Sequence, residues 1–166
     1  MMETEPDYVQ ELSAALLDHD TFRLRELSDQ CSDAAFITAD KKTIDIGIIS
    51  YAFHKILLKR HYQSKFGPLL SDTLNLLDSG NLDSIIENIK EFDREYGFFQ
   101  GNVIKKARIK MGARLYTRGL SLARAAELVS VNVSDILKYS GGTQVHEKAN
   151  GRPLQERLDT ARKLFE

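Results

Sequence analysis

Apolar residues recur along this chain at helical spacing, and no segment sustains the alternation of a half-buried strand with turn signals at its ends. Pro6 stands near the start of a first predicted helix with a stripe of Tyr8, Leu12, Ala15 and Leu16. A second helix is expected from about Thr21, a plausible N-cap, through Phe22, Leu24 and Leu27 toward Ala34. The segment from Asp40 to Gln63 reads as the longest apolar helix. Its Ile44, Ile48, Tyr51, Ile56 and Leu58 are spread around the circumference, as in a helix buried in the middle of a bundle. Its β-branched richness keeps a strand over 43–49 open as an alternative.

Gly67-Pro68 interrupts the chain and starts a helix over Leu69 to Leu77, because proline suits a first turn. Asp78-Ser79-Gly80-Asn81 has turn chemistry. Helix 82–96 follows, with Leu82, Ile85, Ile86, Ile89 and Phe92 on one face and Gly97 as its stop. A basic helix is expected from Asn102 to Arg118, ended by Gly119. Two short helices and a stop at Gly141-Gly142 come next. Thr143 to Arg152 reads as a linker, and a last amphipathic helix from Pro153 carries Leu154, Leu158, Ala161 and Phe165 on one side. The expectation is therefore an all-α chain in three parts. These are an acidic helical bundle over 1–97, a basic helix with a helix-turn-helix-like unit over 102–142, and a linker with a C-terminal amphipathic helix over 143–166.

Charge sharpens that division. The net charge of −1 conceals a split between a first part, residues 1–95, at −8 and a remainder at +7. Between Tyr96 and Arg124 stand seven basic residues and no acidic one. Such polarity points to a polyanion, an acidic partner, or docking between the two halves of the protein itself.

Leu122 to Gly141, LARAAELVSVNVSDILKYSG, meets the requirements of a helix-turn-helix. Such a unit needs a small residue where its helices cross and apolar residues at five places around the corner. Ala126 supplies the first, and Ala125, Val129, Val131, Ile136 and Tyr139 the rest. The turn position that favours glycine holds Ser130, at ~1 kcal/mol of strain. Ser121 can cap the first helix, and Asn132 or Ser134 the second. On the second helix the outward residues are Asn132, Ser134, Leu137 and Lys138, with Asp135 nearby; no arginine is placed to read a guanine edge. Phosphate contacts would come from the preceding helix, where Lys106, Lys110 and Arg114 share one face, and from Arg118. A solvated amphipathic helix with Val103, Ala107, Met111 and Leu115 inward accounts for the same pattern without nucleic acid.

The stretch ARLYTRGLSLARAAELVSVNVSDILKYSGG resembles a family of small prokaryotic helix-turn-helix proteins found as antitoxins, often beside PIN-domain ribonuclease toxins. The resemblance rests on Leu115-Tyr116, Gly119 and Ser121, on Ala125 to Leu128, and on Val133-Ser134 with Ile136-Leu137. It covers about residues 107–142, under a quarter of the chain. It implies a homodimer, or at least a homo-oligomer, that binds duplex DNA through this unit and holds a toxin-like protein partner through a flanking tail, here 143–166. The alternative is a helical protein-interaction module that never touches nucleic acid.

Enzymatic chemistry finds little support. Cys31 is the only cysteine and lacks neighbours at metal-ligand spacing, which suits a buried side chain in a reducing compartment. His54 and His61, seven apart, would share a helix face but have no carboxylate at ligand spacing. Arg60 and His61 are adjacent, whereas helical ribonucleases separate such a pair so that both enter one cleft. No phosphate loop, zinc spacing or nucleophile motif is present, so no enzyme, metal or cofactor is expected. The acidic start lacks a secretory pattern, and Ile44 to Leu58 falls short of the roughly 20 apolar residues of a membrane span. A cytoplasmic protein without membrane contact is expected.

Overall fold

Short polar side chains set where most of the helices begin. Asp7 accepts from the backbone N–H groups of Val9 and Gln10 and opens α1 (Tyr8–Leu17). Asp20 caps α2 (Thr21–Thr38), so the cap lies one residue before the expected Thr21, and the helix runs past Ala34. Asp40 caps α3 (Lys41–Leu57), with its carboxylate 3.0 Å from the Thr43 nitrogen. The α-helix stops at Leu57, and a 3-10 turn over Arg60–Lys65 takes up the rest of the expected segment. Residues 43–49 are helical, which overturns the strand alternative. After α4 (Phe66–Ser79), Asn81 caps α5 (Leu82–Tyr96), whose limits and buried face match the periodicity. Then come α6 (Val103–Thr117), α7 (Leu122–Val129) and α8 (Val133–Ala149).

The computed structural model describes residues 6–97, 102–149 and 162–163. Among the described residues the protein is all-α, and no helix is long and apolar enough to cross a membrane. Helix α8 passes through Gly141 and Gly142 to Ala149, so the expected stop and the linker beginning at Thr143 are corrected. Each glycine costs roughly 1 kcal/mol against alanine, but the segment that follows, TQVHEKA, is rich in good helix formers. Of the expected last helix, only Arg162 and Lys163 fall within the described residues, where they are helical and exposed.

Helix α3 is the centre of the packing. It buries eleven of its seventeen residues, among them Ile44, Ile48, Phe53 and Ile56, against α2, α6, α1 and α5. One apolar cluster runs from Leu12 to Ile136, so the acidic helices and the basic helix share a core. The helices on either side of the boundary expected near 97–102 therefore do not have separate cores, and α6 is tied to α5. Asp93, a buried carboxylate at the end of α5, accepts from the Val103 N–H at 2.8 Å. That bond caps α6 from outside its own sequence, in place of Asn102.

Candidate nucleic-acid interface

Helices α6, α7 and α8 meet at Gly112. A Cβ there would lie 2.7 Å from Ile136 Cδ1 and 2.9 Å from Val129 Cγ2, closer than packed carbons tolerate, so the missing side chain lets all three helices approach. Ser121 caps α7 by accepting from the Arg124 N–H at 3.2 Å. Ser130 ends α7 in the left-handed conformation, φ 57° and ψ 51°, and the Val131 N–H closes the turn on the Ala126 carbonyl. Ala125, Ala126, Val129 and Ile136 are buried and Val131 half-buried, as the spacing requires. Tyr139 departs from its expected place: it is 43% exposed and lies beside Tyr51 in a groove between α3, α6 and α8.

With Ile136 anchored, α8 turns Ser134, Leu137 and Lys138 to solvent. Asn132, just ahead of the helix, is also exposed but borders a different hollow, with Lys90, Lys105 and Arg108. Asp135 lies between the two and pairs with Lys105 at 3.5 Å.

The four cations assigned to phosphate divide into two pairs. Arg114 is paired with Asp29 and reaches Asp33 at 3.7 Å, and Arg118 is paired with Asp33. Both carboxylates belong to α2, so the two arginines hold α6 to the acidic part of the chain. Lys106 and Lys110 point the other way, into the groove with Tyr51 and Tyr139, where Lys138 joins them from α8. Lys110 is half-buried, with its ammonium 4.3 Å from the centre of the Tyr51 ring, a cation–π contact. Burial pushes its pKa below the usual lysine range; the Asp29 carboxylate opposes this, and Arg25, Lys55 and Arg114 reinforce it.

Sequence reasoning missed the contribution of α3. Tyr51 and Lys55 line the same groove, and the Lys55 ammonium lies 5.5 Å from the Tyr51 ring. Their spacing of four residues puts them on one helix face, a signal that was legible but gave no indication of what it faced. The histidines do not form a site. His54 places Nδ1 2.7 Å from the Thr21 carbonyl, a contact in which the nitrogen donates, and the end of α3 at Leu57 separates it from His61. Among the described residues no cluster of three metal-ligating side chains occurs. Cys31 is buried, and burial pushes its thiol up to about 12.

No protein-family model matches the chain, and neither a characterised protein nor a solved structure shows significant similarity to it.

Proposed function

We propose that the chain is a helix-turn-helix regulator that binds duplex DNA as a homodimer. In this reading α8 enters the major groove, Asn132, Ser134 and Lys138 stand near base edges, and Lys106 and Lys110 meet phosphates. The observation that carries it is the exposure of Ser134, Leu137 and Lys138 on a helix fixed by Ile136, next to lysines on α6. Arg114 and Arg118 drop out as phosphate contacts because Asp29 and Asp33 already hold them. The resemblance to antitoxins adds a toxin-like partner held by residues 143–166.

The number of lysines sets a quantitative test. Two neutralised phosphates per protomer give a log–log salt slope of about −1.8, against about −3.6 if both arginines also took part. Fluorescence anisotropy on duplexes from the gene's own upstream region, at several salt concentrations, reads the slope directly. No binding at micromolar protein in low salt would end the DNA reading.

The second reading, a protein-interaction module, is favoured by the same arginines. They show the basic helix docked on the protein's own carboxylates, and Leu137 is 48% exposed with Val133 beside it. A stoichiometric partner captured after nuclease treatment and lost in Leu137→Glu, with no duplex binding by the wild type, would establish it.

A further inference from the structure

The groove between α3, α6 and α8 has a chemistry that exposed phosphate contacts do not explain. Lysines from three helices converge there: Lys55 on α3, Lys106 and Lys110 on α6, and Lys138 on α8. Among the described residues no carboxylate lies within ion-pair distance of Lys55, Lys110 or Lys138. Among the described residues that line it, the one acid, Asp135, is paired with Lys105. Gathering ammonium groups around a partly buried cavity is unfavourable by itself, and an entering anion relieves that repulsion.

The walls decide what kind of anion fits. Val103, Ile109 and two tyrosine rings face a volume of about 530 Å³, within the range of small-molecule sites. Lys110 is withdrawn over Tyr51, so a group must enter the groove to reach it. Tyr139 offers exposed aromatic surface at the α8 side. Flat rings stack on tyrosine, and phosphates are met by lysine as a point charge.

We propose that this groove binds a ligand of nucleotide type, with its phosphate among Lys55, Lys106 and Lys110 and its heterocycle against the Tyr139 ring. The source is either a free mononucleotide or the phosphorylated end of a nucleic-acid strand. The proposal does not require duplex binding by α8.

The test is calorimetric titration of the full chain with adenosine 5′-monophosphate, ribose 5-phosphate, adenosine, inorganic phosphate and a 5′-phosphorylated tetranucleotide. The monophosphate should saturate at one per chain, with adenosine and inorganic phosphate each weaker by about tenfold or more. Lys55→Met and Lys110→Met should each weaken the monophosphate by a similar factor. Tyr139→Leu should weaken it while leaving ribose 5-phosphate unchanged. Tighter binding of the tetranucleotide identifies a strand end as the source; equal or weaker binding identifies the free nucleotide. Should Lys110→Met unfold, Lys55→Met and a variant of the exposed Lys106, Lys106→Met, carry the same test. No saturable heat with any phosphorylated probe at millimolar concentration overturns the proposal, and so does monophosphate binding that survives Lys55→Met and Lys106→Met. Neither result bears on duplex binding, which the salt slope tests separately.

Discussion

Helix α6 carries Lys106 and Lys110 toward its start and Arg114 toward its end, with Arg118 just beyond, and in sequence these four cations look equivalent. The fold gives the two pairs opposite surroundings. The arginines face α2, where Asp29 and Asp33 lie one helical turn apart; Arg114 reaches both and Arg118 the second. The lysines face α3 and α8, where the neighbours are Tyr51, Lys55, Lys138 and Tyr139. A planar guanidinium suits a bridge between two carboxylates, whereas a lysine stem can lie along a ring and leave its head to a mobile anion. Positive charge along a helix therefore counts toward a polyanion only after subtracting what the protein's own acids hold.

The lysine face depends on the place where α8 is pinned to α6, and the largest effects are expected there. Ile136 is fully buried, so Ile136→Ala should cost about 2–5 kcal/mol of unfolding free energy. It should also abolish any binding that needs α8 in position, while a urea melt reports the stability loss. Gly112→Ala attacks the same contact from the other side. The added methyl meets Val129 and Ile136 below van der Waals distance, and overpacking of this kind costs about 1–3 kcal/mol. If Gly112→Ala left the melt unchanged, the three helices would not be in close contact at that point, and the lysine groove would lose its α8 wall.

These contacts also show which parts of the fold were legible in the sequence. Helix α5 was readable to the residue because a strong apolar stripe coincides with Asn81 and Gly97 at its ends. The buried residues of α7 and the Ile136 anchor were readable from fixed spacing, since local geometry dictates them. The passage of α8 through Gly141-Gly142 was not, because a glycine pair lowers local propensity without fixing the outcome over a helix of 17 residues. Nor was the capture of Arg114 by Asp29, 85 positions away. The split of charge between the two parts of the chain suggested docking between them, but only the packing of α2 on α6 decides which cations take part.

A smaller perturbation isolates the arginine side. Asp29→Asn with Asp33→Asn removes both carboxylates and keeps the side-chain shape. The pairs are partly exposed, so each should contribute no more than ~1 kcal/mol, and the double variant should melt only slightly earlier. Its effect on DNA is the informative one. With Arg114 and Arg118 released, the salt slope per protomer should steepen from about −1.8 toward about −3.6. A slope that stays at the wild-type value would mean that the C-terminal end of α6 points away from the duplex, and would confine the interface to the lysine side.

The smallest effect belongs to that lysine side and appears with pH. His54 sits on α3 next to Lys55, and burial lowers its pKa below the ordinary histidine value. The hydrogen bond to the Thr21 carbonyl opposes the shift, while Lys55, Arg25 and Lys110 add to it. The unfolded chain, with an imidazole near 6.5, therefore takes up this proton at a higher pH than the folded chain does. Stability from this group is present above about pH 6.5 and is lost as the pH falls toward the depressed folded value. His54→Gln removes the titration, so its melting temperature should change less than that of the wild type between pH 7.5 and 5.5. Equal changes in the two proteins would show that neither burial nor the cationic neighbours of His54 depress its titration. The crowding that distinguishes the lysine side from the arginine side would then be weaker than the distances imply.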